Sequence, residues 1–245
     1  MDISMTYLLN SGFLVRVGRV LLVFDDYKDP SHAVDEAVAA DDFDQLYVFA
    51  SHAHFDHFDP HIGLYADAVN QYIFGYDIRH TKRVRAFPRD KVQFLATYSH
   101  WEDEDLAVES FDSTDTGVSF LVTLKQSGVR IFHAGDFNWW DWDGEDRETR
   151  KLAENAFRKQ MKKLQGLQAD VAFFPVDGRL GGQLDKGAKE FCAETDIGAL
   201  VTMHSVGYPA WQPPVGFFRP GHEVPVWSPR EPGEKNVLHD GRLLK

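Results

Sequence analysis

The sequence predicts an α/β fold in which two mixed β-sheets pack together and helices cover their outer faces. Three observations lead there. The first half reads mainly as strands with short helices, and the second half alternates strand and helix. At 245 residues and 43% hydrophobic content, the chain can bury a large core without disulfides. No linker, short repeat or low-complexity segment interrupts it, so one domain over residues 1–245 is expected.

The elements follow in order. Residues 6–26 read as a β-hairpin, with Leu14, Val15 and Val17 before Gly18-Arg19 and a second apolar run at 20–24. Asp25-Asp26 and Asp29-Pro30 break that pattern, and residues 32–40 suit a short helix. Residues 46–50 are short and apolar, as a buried strand would be, and run directly into a histidine-rich segment. A helix is expected over 60–69, capped by Asp59 and opened by Pro60. Strands are expected at 71–74, 92–96, 106–111, 117–124 and 129–134, the last two joined through Gln126-Ser127-Gly128.

The clearest helix covers 145–165, where Leu152, Ala156, Phe157, Met161 and Leu164 share one face. Asp143 is its expected cap. Acids in its first turns and Lys159, Lys162 and Lys163 near its end complement the helix dipole. A strand at 170–175, a helix at 184–194 and a strand at 199–203 complete the alternation. Residues 209–232 are rich in Pro, Gly and aromatics and read as irregular with short strands.

Charge and composition narrow the function. A formal net charge of −12 disfavours binding along a nucleic-acid backbone. It leaves open a small substrate, an anionic one included, because a metal site makes its own positive field. Cys192 is the single cysteine, so no disulfide forms within the chain and a reducing compartment is the simpler home. The opening Met1-Asp2-Ile3-Ser4-Met5 lacks the basic and apolar stretches of a secretory signal. No apolar run approaches the roughly 18 residues of a membrane span. The expectation is a cytoplasmic protein with no membrane partner, its oligomeric state left open.

The chemistry gathers in Ser51-His52-Ala53-His54-Phe55-Asp56-His57. Three imidazoles and a carboxylate follow a buried strand, where unpaired polar groups are expensive to collect. If the chain stays extended, His52, His54 and Asp56 point to one side, and a turn brings His57 round. Imidazole and carboxylate are common ligands for zinc, iron and manganese. Four such groups exceed what one open tetrahedral site takes, so they suit two ions. The alternative is a solvated polar loop with incidental histidines.

This run matches His-x-His-x-Asp-His, and with it the chain resembles the metallo-β-lactamase superfamily from its opening hairpin to His204. It looks closest to the branch of ascorbate-phosphate-lactonase-like metal-dependent hydrolases. The resemblance implies a four-layer αββα sandwich with metals at one edge of the two sheets. It also implies three further ligands. His100, in Tyr98-Ser99-His100, stands after a middle strand. Asp136, ending Ile131-Phe132-His133-Ala134-Gly135-Asp136, stands as a bridging carboxylate. His204, ending Leu200-Val201-Thr202-Met203-His204, completes the set. One ion is then held by His52, His54 and His100, and the other by Asp56, His57 and His204, with Asp136 between them.

The implied activity is hydrolysis of an ester, lactone or phosphodiester of a small substrate by a hydroxide bridging two divalent ions. Zinc is the first expectation, and manganese and iron are the alternatives. Such ions lower the pKa of water from near 15.7 towards about 7. Asp56 and Asp136 are the catalytic carboxylates, Asp56 orienting the nucleophile. An iron-dependent oxidoreductase resembling persulfide dioxygenases, and a non-catalytic metal-binding protein, are the competing readings.

Each later ligand has a plainer reading beside it. Asp136 suits a turn after Gly135, His204 a locally bonded histidine at a strand end, and His100 a surface histidine beside Glu102-Asp103-Glu104-Asp105. His133 competes with His100 as a ligand, or orients one from the strand behind Asp136. Trp139, Trp140 and Trp142 wall a substrate pocket or anchor the long helix. Arg179, after Asp177-Gly178, holds an anionic substrate or lies on a turn. Ser11-Gly12 stands near the opening hairpin, where it could approach the site. His61, His80, His222 and His239 read as structural or surface groups.

Overall fold

The computed structural model describes residues 2–205 and 211–244. Its first half runs β1 (Ile3–Leu9), β2 (Gly12–Val17), β3 (Val20–Phe24), α1 (Ala33–Ala40), β4 (Gln45–Ala50), β5 (Gln71–Gly75) and β6 (Val92–Leu95). Next come β7 (His100–Glu102), β8 (Leu106–Asp112), β9 (Val118–Leu124), β10 (Arg130–His133) and α2 (Arg147–Leu164). The last stretch holds β11 (Gln168–Ala169), β12 (Val171–Pro175), α3 (Lys186–Glu194), β13 (Asp196–Ile197), β14 (Leu200–Met203), β15 (Val226–Trp227), β16 (Lys235–His239) and β17 (Arg242–Leu244).

Two mixed sheets form. One is ordered β17-β16-β1-β2-β3-β4-β5-β6 and the other β15-β14-β12-β10-β9-β8-β7, while β11 pairs with β13. In the first sheet β3, β4, β5 and β6 are parallel. In the second β10, β12 and β14 are parallel. Parallel strands are covered on both faces, which is why β3 and β4 read as continuous apolar runs. Leu22 and Phe24 of β3 face the second sheet, while Leu21 and Val23 face the layer of α1 and the 60–65 turn. Phe13 meets Phe173 across the sheets at 4.5 Å between ring centres, and Phe49 meets Phe120 at 5.5 Å. Burying each such ring contributes about 1.5–3 kcal/mol.

Helix α2 lays Phe157, Met161 and Leu164 on the outer face of the second sheet, as its periodicity requires. The order of layers is helix, sheet, sheet, helix, as expected. Some details differ. Asp146, not Asp143, caps α2, accepting from Glu148 N and Thr149 N, and Asp143 instead accepts from Gly182 N at 2.9 Å. The expected helix at 60–69 is a 3₁₀ turn, Pro60–Tyr65, capped by Asp59 as foreseen. The opening hairpin gains a third strand, β1, which pairs with the unforeseen β16. Of the expected irregular tail, Pro209 and Ala210 lie outside the described residues.

Candidate metal centre

The predicted ligands leave the carboxyl ends of parallel strands, where open α/β sheets place their sites. The segment 52–57 follows β4, Asp136 follows β10 and His204 follows β14. Gly135 makes the turn to Asp136 with φ +54°, and a Cβ there would lie 2.8 Å from Ser51 Cβ. Gly117 crowds the same spot: a Cβ would lie 2.3 Å from both His52 Cβ and Ser51 O. The backbone of Ser51-His52 is thereby clamped between the sheets.

Two groups of ligand atoms result among the described residues: His52, His54 and Asp136, and Asp56, His57 and His204. Asp136 reaches into both. Its Oδ2 lies 3.5 Å from His52 Nε2, while Oδ1 lies 3.1 Å from His57 Nε2 and 3.5 Å from His204 Nε2. Asp56 Oδ2 stands 3.8 Å from His57 Nε2 and 3.9 Å from His204 Nε2. His52 Nε2 and His54 Nδ1 are 3.0 Å apart.

Bonds behind the imidazoles fix which nitrogen faces the centre. Asp25 is buried after β3, and its Oδ1 accepts from Ser51 N at 2.6 Å. Its Oδ2 accepts from Ser51 Oγ and from His57 Nδ1, each at 2.7 Å. Ser51 Oγ has spent its proton on Asp25, so it accepts from His52 Nδ1 at 2.9 Å. His204 Nδ1 donates to Asp177 Oδ2 at 3.0 Å. His52, His57 and His204 all therefore present Nε2 to one space. Asp25 and Asp177, read from sequence as turn residues, are the positioning groups that reading missed. Further support for the ligands comes from the β1–β2 turn. Asn10 O accepts from His204 N at 3.0 Å, Asn10 Nδ2 donates to Asp56 Oδ2 at 3.1 Å, and Ser11 O accepts from His133 Nε2 at 2.9 Å.

The electrostatics fit a cation. Burial works hardest against charge on Asp136, yet His57, His204 and His52 together hold its carboxyl well below the usual range. Burial and neighbouring His57 push His52 down to about 3, so it is a neutral ligand at neutral pH. Burial opposes a proton on His57, but Asp136 and Asp25 outweigh it and raise that imidazole well above its ordinary value. Asp136 Oδ1 and His57 Nε2 are buried and lack a hydrogen-bond partner. Buried orphans of this kind are rare and call for a counterpart, which a shared cation supplies.

One predicted ligand is corrected. His100 lies on the edge strand β7, half exposed, 3.8 Å from Glu102, and belongs to neither ligand group. It pairs in register with Glu109 of β8, at the edge of the second sheet. His133 does not take its place. Its Nε2 donates to Ser11 O and its Nδ1 accepts from Gly135 N at 3.2 Å, so both nitrogens are engaged in holding the turn before Asp136. A further donor beside His54 is a residue the sequence did not single out. Asp115, between β8 and β9, brings Oδ2 to 3.8 Å from His54 Nδ1.

A cleft of about 370 Å³ opens over the two groups, lined by Thr114, Asp115, Trp140, Trp142 and Arg179 besides the ligands. Trp140 and Trp142 stack at 6.0 Å, and Trp140 Nε1 donates to Asp136 O at 3.0 Å. Trp139 instead is buried against Phe157 of α2, so the three tryptophans divide the two roles foreseen for them. Arg179 binds Asp177 and lies 5.6 Å from the Trp142 ring. His61 pairs with Asp26 and Asp59, and His239 with Asp2, away from the centre.

No protein-family model and no curated protein matches the chain. Solved structures do. A novel metallo hydrolase, Igni18, from the hyperthermophilic archaeon Ignicoccus hospitalis, is similar at a TM-score of 0.64 and 16% identity, covering 98% of this chain and 99% of that one. The metallo-β-lactamase fold protein YhfI from Bacillus subtilis gives 0.60 at 14% identity, covering 95% and 98%. CmlA, a diiron β-hydroxylase from Streptomyces venezuelae, gives 0.54 at 12% identity, covering 83% of this chain and 44% of that one. At these identities the likeness speaks to architecture alone.

Proposed function

We propose, taking the metallo-β-lactamase fold as the premise, that this chain is a metal-dependent hydrolase with two divalent ions. The observation that carries this reading is the divided carboxylate of Asp136, one oxygen toward His52 and the other toward His57 and His204. In this assignment His52, His54 and Asp136 hold one ion, and Asp56, His57, His204 and Asp136 the other. Asp115, beside His54, takes the part expected of His100. When bound, two such ions supply a water nucleophile at neutral pH and polarise a carbonyl or phosphoryl oxygen.

The chain's own residues do the rest. Asn10 fixes Asp56 Oδ2, and Asp56 lines the cleft at the second group, where its carboxylate would orient the water nucleophile. Asp25 and Asp177 hold the imidazoles of His57 and His204 by Nδ1, which leaves Nε2 toward the site. Trp140 and Trp142 give a flat apolar wall that narrows access by water. Arg179 is the one Lys or Arg lining the cleft among the described residues, and it suits an anionic substrate. A small anionic lactone or phosphodiester is the substrate class favoured. The same reading treats residues 1–245 as one cytoplasmic domain acting without nucleic-acid or membrane partners. No helix among the described residues is long and apolar enough to cross a membrane.

The test is a screen of model lactones, esters and phosphodiesters with protein stripped by chelator and then reloaded with zinc, manganese or iron. Turnover that returns with metal, and is absent in Asp56→Ala, supports hydrolysis. Absence of turnover on every class with both sites filled refutes it. A second reading draws on Asp115. Two imidazoles with two carboxylates make an oxygen-rich set that suits iron as well as zinc. Iron in the isolated protein with oxygen consumption, and no hydrolysis, would favour an oxidoreductase.

A further inference from the structure

A second cleft, of about 730 Å³, shares no lining residue with the metal cleft. It lies along the stretch 79–91, which carries Arg79, Lys82, Arg83, Arg85, Arg89 and Lys91 against a single acid, Asp90. In a chain of net charge −12, that segregation runs against the overall balance. Among the described residues no acidic side chain lines the cleft. Arg83, Lys91 and Arg79 are committed elsewhere: Arg83 to the carbonyls of Ala53 and Phe58, Lys91 to Ala66 O and Val69 O, and Arg79 to Tyr76 Oη. Lys82, Arg85 and Arg89 are exposed on the rim, and no carboxylate pairs with them among the described residues.

The floor is apolar. Phe87 is buried and packs on Phe58 at 5.6 Å and Phe74 at 5.2 Å between ring centres. Val92 and Phe94, alternate residues of edge strand β6, stay half exposed beside it. Clefts of 300–1,000 Å³ with apolar walls and a few placed polar groups are typical of small-molecule sites. The anchors at Arg83 and Lys91 tie down the backbone that carries the free cations, so binding has the rim side chains to order and not the main chain.

We propose that this cleft binds a small amphiphilic anion, its apolar body on Phe87, Val92 and Phe94 and its sulfonate, phosphate or carboxylate group among Lys82, Arg85 and Arg89. The site stands whether or not the metal centre is hydrolytic.

The test uses 8-anilinonaphthalene-1-sulfonate, followed by fluorescence on the full chain. One saturable site per chain is expected. Arg85→Glu/Arg89→Glu should weaken it by about tenfold or more, as should raising salt well above physiological ionic strength. N-phenyl-1-naphthylamine, which keeps the rings without the sulfonate, should bind about tenfold more weakly, the cost of one charge-assisted contact. Circular dichroism checks the double variant, and Lys82→Gln/Arg85→Gln replaces it if it fails to fold. Equal affinity of wild type and charge variant overturns the proposal. So does equally tight binding of the neutral analogue, or loss of binding in Trp142→Ala, which would assign the probe to the metal cleft.

Discussion

Replacing Gly117 with alanine tests how tightly the fold holds His52. The added Cβ would lie 2.3 Å from His52 Cβ and 2.3 Å from Ser51 O. Carbon atoms rest at about 3.5–4.0 Å, so His52 or the β8–β9 turn must move by about 1 Å or more. Overpacking of this kind costs about 1–3 kcal/mol. The φ of +73° adds about 1–2 kcal/mol for a residue with a Cβ. Metal–ligand distances tolerate only about 0.2 Å, so His52 should leave the first group. Gly128→Ala is the control, having φ +73° but nothing within 4 Å of its Cβ. Urea unfolding of metal-free protein should show a loss of about 2–5 kcal/mol for Gly117→Ala and only the smaller, conformational part for Gly128→Ala. Elemental analysis should show one ion fewer in Gly117→Ala alone. Wild-type stability and full metal content in that variant would refute the clamping of His52.

Three further outcomes are expected. Asp25→Asn puts an NH2 donor in place of one of the two oxygens that accept from Ser51 and His57, so metal affinity in a chelator competition should fall about 10–100-fold, while wild-type affinity would show that Asp25 does not position the ligands. Asp115→Ala should weaken one ion and spare the other, and an unchanged titration would remove Asp115 from the site. Burial opposes ionisation of Asp177, but His204 and Arg179 lower its pKa to about 2. A depressed carboxyl contributes stability above its unfolded pKa near 4, lost as pH falls through about 2. Acid unfolding of metal-free Asp177→Asn should therefore lack on the order of 2 kcal/mol of this pH dependence, and an unchanged acid limb would argue against it.

What could be read in the sequence was whatever lay close together in it. The 52–57 donors adjoin one another after an apolar strand, and Asp136 and His204 end strands whose apolar runs are plain, so six of the seven expected donors come together and His100 does not. His100 failed because its only signal was position after a strand, which says nothing of the direction a short edge strand takes. Asp115 sits in an acid-bearing turn, where carboxylates are ordinary, and only the packing of β8–β9 against β4 brings it to His54. Asp25 and Asp177 look like strand-end turn residues until the long-range contacts to His57 and His204 are seen. Gly117 carries no local mark of its crowding. The C-terminal hairpin did have a signal: Asp240-Gly241 between apolar runs, with φ +45° and +72°.

The most direct measurement is the metal content of wild-type and Asp136→Ala protein, each reloaded and freed of loose ions. Two ions per chain are expected in the wild type, and at most weak, substoichiometric binding in the variant, because one carboxylate serves both groups. A wild type that saturates with a single ion, or a variant that still holds two, would contradict a centre bridged by Asp136.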